Sequence, residues 1–272
     1  MKLCYPVTTP DCTIPMMAFS CGDFERHLQE IKECGYEGAE LLIRDPREED
    51  YEKLIRQVDQ SGLKLAAAAT SPMPSQDKLF LASDDKHVRE EALRRGKELL
   101  KFCGLTGVPM VVGRFRGNIN QQNPDNSMEA LTETFYQLDE ECELWGGRIA
   151  LEVQNRNNVN TFNTSEEAAG WIRENGFRHI GLLLDTFHME LTERSFGEAL
   201  SHGKGRIEFI HMSDIRRRVP GTGTIPFKEI LSLLELSGYN GWCSAEVKQW
   251  PDSMTAARLT AEYLKYIEKL NF

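Results

Sequence analysis

Short apolar runs alternate with amphipathic segments from one end of this chain to the other, and this alternation constrains the fold more than any other feature. Apolar runs of about 4 to 8 residues bounded by turns are typical of buried strands. Strands that alternate with helices require parallel crossover connections. Eight such units without a linker between them predict a single closed (β/α)8 TIM barrel over residues 1–272. The predicted strands lie at 2–6, 38–43, 63–69, 109–113, 148–153, 179–185, 206–211 and 241–247.

Between these strands, apolar residues recur at the spacing of one helix face. Ser83 is expected to cap the third of these helices, and Thr164 or Ser165 the fifth. Residues 113–127 are polar and are expected to form a long loop. The predicted helices lie at 24–34, 50–61, 83–102, 127–145, 165–175, 195–201, 227–237 and 253–270.

Composition argues against several classes of protein. The chain has a formal net charge of −10 and a pI near 5.2, without the basic stripe that binding to a nucleic-acid backbone needs. No apolar stretch approaches the roughly 20 residues that span a bilayer, and the amino terminus lacks the apolar core of a signal peptide. A cytoplasmic protein is therefore expected. The 7 cysteines are scattered and odd in number, with no C-x-x-C pair, which argues against disulfides and against a cysteine-built zinc site.

Ionisable residues stand at the ends of the last four predicted strands, namely Glu152, Asp185, His211 and Glu246. Each has an ordinary explanation by itself, such as a solvated edge residue, a helix N-cap or a buried histidine. The carboxyl ends of barrel strands meet at one rim, however, and four such coincidences at successive strands favour one shared site. Three carboxylates and one imidazole suit a divalent metal ion, with Mn²⁺ as the first choice and Mg²⁺, Co²⁺ or Zn²⁺ as alternatives.

Such a site suits chemistry next to a carbonyl group. A hydroxyketone bound to a divalent ion has an acidified C–H beside its carbonyl, because the ion stabilises the developing enediolate. One carboxylate can remove that proton, and a second can return a proton on the other face or at the neighbouring carbon. Glu152 and Glu246 are the expected catalytic pair, and each would also ligate the ion.

The motifs LEVQNR, LLLDTFHM, HMSD with RRRVPGTG, and SAEV resemble the xylose-isomerase-like barrel superfamily. Within it the chain is most similar to the sugar isomerases and epimerases that include ketose 3-epimerases and hydroxypyruvate isomerases. The resemblance covers essentially the whole chain and implies that the four strand-end residues are the metal ligands. It also implies substrate contacts at His188 and Arg217, a sugar-derived substrate, and a homo-oligomer such as a dimer or tetramer. Asp214 would then support the ligands from behind.

Two features set this chain apart from that pattern. Ketose 3-epimerases have a second acidic substrate contact six residues after the first Glu, whereas this chain has Asn158, which puts 3-epimerisation of free ketohexoses in doubt. Arg114 and Arg116 follow strand four, and Arg44 ends strand two. Arginines at the barrel mouth suit a phosphate or carboxylate on the substrate, although solvated loop arginines are an equal alternative.

These observations make a metal-dependent sugar isomerase or epimerase the leading hypothesis. A lyase that dehydrates a keto-cyclitol or a dehydroshikimate-like acid is the nearest alternative, since it needs the same enolate. An abasic-site endonuclease would need a cluster of zinc ions and many rim histidines, and this chain has 6 histidines in all. A non-enzymatic binding barrel remains a further alternative.

Overall fold

A computed structural model describes residues 1–270 and contains a closed barrel of parallel strands arranged in chain order. The first strand pairs with both the second and the eighth, which closes the sheet and confirms the predicted TIM barrel. The strands β1 to β8 are Lys2–Thr8, Gly38–Leu42, Lys64–Ala69, Pro109–Val112, Arg148–Glu152, Ile180–Asp185, Ile207–His211 and Trp242–Ser244.

Helices surround the barrel and connect successive strands. Two short helices that closely follow strands, Pro72–Gln76 (α3) and Thr186–Thr192 (α7), were not predicted from the sequence. The helices α1 to α10 are Phe24–Glu33, Tyr51–Gln60, Pro72–Gln76, Lys86–Thr106, Pro124–Trp145, Ser165–Glu174, Thr186–Thr192, Phe196–His202, Phe227–Leu236 and Ser253–Leu270. Single 3-10 turns occupy Arg114–Arg116 and Ile215–Arg217.

The start of α4 differs from the expectation. Asp85, not Ser83, caps this helix, because its carboxylate accepts hydrogen bonds from the amides of His87 and Val88. The Ser83 hydroxyl instead accepts a hydrogen bond from the Asp85 amide, one turn before the helix begins. At α6 the cap is Thr164, whose hydroxyl accepts from an amide of the first turn. The loop after β4 is also shorter than expected, since α5 begins at Pro124.

Small and large side chains alternate inside the barrel. Phe209 and Leu183 belong to a buried cluster that Ala67, Ala69 and other small residues complete. Alanines in β3 therefore serve a packing need, although alanine favours helices. The strands bury their other face against the helices in a second, larger apolar cluster. Among residues 1–270, no helix is both long enough and apolar enough to cross a bilayer.

Candidate active site

Strand alternation decides which side chains enter the barrel. Successive residues of a strand point to opposite faces, so a residue two positions after an inward-facing one also faces inward. Asp185 follows the inner-cluster residue Leu183 by two positions, and His211 follows Phe209 in the same way. Asp185 and His211 are also paired partners in the β6–β7 register. The last inward position of β6 and that of β7 therefore each deliver an ionisable group to the same rim.

Four side chains meet at this rim. His211 Nδ1 lies 3.6 Å from Glu152 Oε1, 3.8 Å from Asp185 Oδ2 and 3.4 Å from Glu246 Oε2. One candidate ligand atom from each of the four residues lies within 4.8 Å of all the others. Glu246 stands two residues beyond the end of β8, because that strand is shorter than predicted. The four side chains named from the sequence are thus brought together.

Asp185 satisfies both explanations that the sequence left open. Its Oδ1 accepts a hydrogen bond of 2.8 Å from the Phe187 amide and so caps α7. Its Oδ2 faces His211 and the rim. One carboxylate therefore starts a helix and contributes to the site.

The donor atoms of this cluster fit a divalent ion. Among the described residues, Glu152 Oε1, His211 Nδ1 and Glu246 Oε2 are buried without a hydrogen-bond partner. Buried polar atoms without a partner destabilise a fold by about 1 to 3 kcal/mol each, so three that face one point call for an explanation. Oxygen and imidazole nitrogen donors suit Mn²⁺, Co²⁺ or Zn²⁺. The cluster of Glu152, Asp185, His211 and Glu246 could hold such an ion.

Charges within the cluster shift its protonation. Burial by itself would raise the pKa of Glu246, yet Arg217 and His211 outweigh it and lower that pKa to about 2. Burial likewise opposes ionisation of Glu152, but the adjacent, positively charged ring of His211 brings the pKa below its usual value. The pKa of His211 is raised well above its usual value, because Glu40 and Glu246 outweigh the burial that would lower it. Glu152 and Glu246 are therefore ionised at neutral pH.

His188 and Arg217, for which the resemblance implies substrate contact, lie against the cluster. His188 Nε2 is 2.9 Å from Arg217 Nη2 and 3.7 Å from Glu152 Oε1. Arg217 donates to Asp185 Oδ2, and its Nη1 lies 2.9 Å from Glu246 Oε2. Burial and then the charge of Arg217 lower the pKa of His188, despite the opposing pull of Asp185, so its imidazole is neutral. Arg217 is the cation closest to these carboxylates, and its own pKa is raised by them against the effect of burial.

Asp214 organises the loop that carries Arg217. Its carboxylate accepts hydrogen bonds from four backbone amides of this loop, those of Ile215, Gly221, Gly223 and Ile225. Arg216 and Arg217 both have positive φ, 58° and 60°. Such backbone costs about 1 to 3 kcal/mol per residue and persists only where surrounding contacts impose it. Asp214 therefore holds a strained turn that aims Arg217 inward, and does not support a metal ligand from behind as the sequence suggested.

Glu152 is held by its neighbours in the sequence and in space. Gln154 Nε2 donates to Glu152 Oε2 at 2.5 Å, which leaves Oε1 to face the other members of the cluster. Gly113, at the end of β4, lies directly beside the same Oε2. These contacts restrict the carboxylate of Glu152 to one orientation.

Glu40 is a residue that the sequence reasoning missed. It lies in β2, is 1% exposed, and places Oε1 3.2 Å from His211 Nε2. Its other oxygen accepts a hydrogen bond of 2.6 Å from the Ser244 hydroxyl. One feature of the sequence could have identified it. Glu40 is a lone carboxylate inside the apolar run GAELLI, a position where a charge requires a partner.

Arg116 does not lie open at the barrel mouth. Its side chain is fully buried, and the guanidinium donates to the backbone oxygens of Gly113, Glu152 and Thr161. These bonds tie the turn after β4 to the end of β5, at the residue that supplies one carboxylate of the cluster. Burial lowers the pKa of Arg116 to about 10, which still leaves it charged at neutral pH. A structural role replaces the substrate contact expected for Arg116.

The remaining rim residues differ in their surroundings. Arg44 binds Asp77 through two hydrogen bonds of 3.0 and 2.9 Å, so its charge is already paired within the protein. Arg114 is exposed in the turn after β4. Asn158 is half-buried in the loop after β5, where its backbone amide donates to the backbone carbonyl oxygen of Asn155. Arg114 and Asn158 stay candidates for substrate contact.

Comparison with known proteins places this geometry in a family. An L-ribulose 3-epimerase from Mesorhizobium japonicum is 28% identical over 220 residues, which cover 80% of this chain and 73% of that protein. A 3-dehydro-D-guloside 4-epimerase from Escherichia coli is 26% identical over 225 residues, 78% of this chain and 82% of that one. The solved structure of a D-psicose 3-epimerase with D-tagatose from Clostridium cellulolyticum has a TM-score of 0.77 at 21% identity, and the match covers 100% of this chain and 99% of that one. The sequence model of the xylose isomerase-like TIM barrel matches residues 28–269, and the chain therefore belongs to that family.

Proposed function

We propose that this protein is a divalent-metal-dependent sugar epimerase or isomerase that moves a proton next to the carbonyl of a ketose or ketose derivative. The observation that carries the proposal is the convergence of three buried ligand-type atoms that lack a hydrogen-bond partner: Glu152 Oε1, His211 Nδ1 and Glu246 Oε2. The similar proteins are sugar epimerases, and the chain is accordingly a carbohydrate enzyme of the isomerase type.

The two glutamates are suited to proton transfer. A divalent ion held by the four side chains would polarise the substrate carbonyl and stabilise the negative charge that follows loss of the neighbouring proton. Glu152 ends β5 and Glu246 follows β8, with two strands between them in the barrel, so their carboxylates approach from different sides. One takes the proton from the substrate carbon, and the other returns a proton to the opposite face or to the neighbouring carbon.

His188 and Arg217 are the proposed substrate contacts. Both are buried beside the two catalytic carboxylates, and a neutral imidazole can donate to or accept from a sugar hydroxyl. The guanidinium of Arg217 carries several donors in a fixed plane, which suits an oxygen on which negative charge develops. These two side chains would set the orientation in which the substrate carbon faces the glutamates.

The lyase alternative loses much of its support. It needs the same enolate, and arginines at the mouth would have served it by binding an acidic substrate. Arg116 is bound to backbone oxygens and Arg44 to Asp77, which leaves Arg114 exposed. A sugar without a required acidic group is therefore the preferred substrate, as a free ketose or as a keto-glycoside.

Solvent-deuterium exchange tests the proposal. The Mn²⁺-loaded protein, incubated in D₂O with ketoses, ketose phosphates, keto-acids and 3-keto-glycosides, should incorporate deuterium next to the carbonyl of at least one of them. A chelator should stop the exchange. Glu246→Gln should abolish it with unchanged circular dichroism, whereas Glu229→Gln, an exposed change on α9, should have no effect. Undiminished exchange in Glu246→Gln, or a dehydrated ultraviolet-absorbing product, would contradict the proposed reaction.

A further inference from the structure

Glu40 is a carboxylate buried in the interior of the barrel. It occupies the middle of β2 and is 1% exposed. An unpaired carboxylate in such a place is costly by several kcal/mol, so it requires partners. Among residues 1–270, the only basic side chain within ion-pair distance of Glu40 is His211, through Nε2 at 3.2 Å. The second oxygen of Glu40 is held by the Ser244 hydroxyl at 2.6 Å.

The two ring nitrogens of His211 face different surroundings. Nε2 faces Glu40, while Nδ1 faces the carboxylates of Glu152, Asp185 and Glu246. An imidazole that binds a metal through one nitrogen keeps a single proton, on the other nitrogen, and the hydrogen bond made by that proton decides which nitrogen binds the metal. An ionised carboxylate can only accept, so a proton on Nε2 is favoured by Glu40. The lone pair of Nδ1 is then available on the side of the cluster.

Ser244 and Phe209 hold this arrangement in place. Ser244 is the register partner of His211 between β7 and β8, and its side chain is fully buried. Its hydroxyl fixes the second oxygen of Glu40 and so limits rotation of the carboxylate. The ring of Phe209 packs edge-on against the imidazole, with centroids 5.6 Å apart and an interplanar angle of 80°. The chain of contacts spans β2, β8 and β7 across the barrel.

We propose that Glu40 is a positioning residue that selects the Nε2–H tautomer of His211 and fixes its ring, so that Nδ1 is the ligand atom for the metal. This inference rests on the proposed metal site and goes beyond it. The contacts described for Glu40 are with His211 and Ser244, and not with the carboxylates of the cluster. Groups that orient a metal-bound histidine typically contribute about 10- to 100-fold to metal affinity.

Metal affinity of the isolated protein tests this role. Mn²⁺ is titrated into the metal-free wild type and Glu40→Gln, with calorimetry or the electron paramagnetic resonance of free Mn²⁺ as the readout. Gln is isosteric with Glu, and its carbonyl can still accept from Nε2–H, but it lacks the charge and adds an amide donor that can turn toward the ring. Glu40→Gln should bind Mn²⁺ at least about 10-fold more weakly than the wild type. The melting temperature of the metal-free variant is recorded to check that it is folded. Glu208→Gln, at the start of the same strand as His211 and paired with Arg148, should bind as the wild type does.

A double-mutant cycle separates positioning from a general effect of the buried charge. In a His211→Ala background, Glu40→Gln should change Mn²⁺ affinity by less than about 2-fold, since the residue through which it acts is gone. Wild-type affinity in Glu40→Gln, or an equal loss in both backgrounds, would overturn the inference. Should Glu40→Gln not fold, Ser244→Ala removes only the hydroxyl that holds Glu40 and should weaken binding a few-fold; unchanged affinity there would count against the inference equally. Failure of the wild type to bind Mn²⁺ or Co²⁺ would instead remove the proposed metal site, and this inference with it.

Discussion

Gly113 and Glu152 lie so close together that a β-carbon on Gly113 would overlap Glu152 Oε2. The glycine directly follows β4, and the carboxylate ends the neighbouring strand β5. Absence of a side chain at Gly113 is therefore a condition for the orientation that Glu152 has in the cluster.

Gly113→Ala should lower the activity strongly and the free energy of unfolding only slightly. The added methyl group has to displace Glu152 Oε2 and the Gln154 amide beside it. A displacement of about 1 Å in a catalytic group can lower a rate by roughly 100-fold. Steady-state kinetics and Mn²⁺ titration should both show the loss. Gly170→Ala on α6, where the nearest atoms are 3.8 Å from the new carbon, should leave both unchanged.

Substitution of Arg116 should destabilise the protein, whereas substitution of Arg114 should not, although both residues lie in the same turn. Arg116→Met removes the buried guanidinium that donates to three backbone oxygens, and a loss of about 3 kcal/mol in unfolding free energy is expected. Arg114→Ala, at an exposed position, should change stability by less than about 0.5 kcal/mol. Urea unfolding of the two variants compares them directly. Equal, small effects would show that the buried guanidinium is dispensable to the fold.

Asp214→Ala should loosen the turn that aims Arg217 into the site. Four backbone amides lose their acceptor, and hydrogen bonds to a charged group contribute about 1.5 to 3 kcal/mol each, not additively. Faster hydrogen exchange at residues 215–225 is expected, together with a raised KM, because Arg217 is a proposed substrate contact. Asp214→Asn keeps one acceptor oxygen, and its hydrogen-exchange rates and KM should lie between those of the wild type and those of Asp214→Ala. Unchanged exchange in Asp214→Ala would contradict the role given to this carboxylate.

Glu49 should make stability depend on pH. Its Oε1 accepts a hydrogen bond from the Asp11 amide at 3.2 Å, and burial together with the Asp11 carboxylate raises its pKa to about 7. A carboxyl whose pKa is higher in the folded state binds its proton more tightly when folded, so its contribution to stability falls as the pH rises from about 4.5 to 7.

Glu49→Gln cannot ionise and should escape this loss. Relative to the wild type it should be of similar stability near pH 4.5 and more stable above pH 7.5, by about 1 to 2 kcal/mol after allowance for solvent screening. Urea unfolding across this pH range measures the difference. Glu48→Gln, at the exposed neighbouring position, serves as the control and should show no such trend. A pH-independent difference for Glu49→Gln would mean that this carboxyl has the same pKa in the folded and unfolded states.

Much of the architecture follows from local patterns in the chain. The alternation of apolar runs and helical segments was enough to predict the barrel, because parallel strands with helical crossovers have few other ways to bury both faces. The helix starts were less predictable. Asp85 and Ser83 are both good caps in isolation, and the choice between them depends on which residue adopts extended backbone just before the helix. The short helices α3 and α7 were missed since each is below the length at which periodicity can be recognised.

The sequence by itself determined that Glu152, Asp185, His211 and Glu246 would share one rim, because strand ends and the two-residue alternation are local properties. Only the tertiary structure decided what surrounds them. Glu40 meets His211 across 171 residues of chain, and Arg116 reaches the Glu152 carbonyl across 36. Contacts of this kind depend on the register between strands and on the closure of the barrel, neither of which a local pattern encodes.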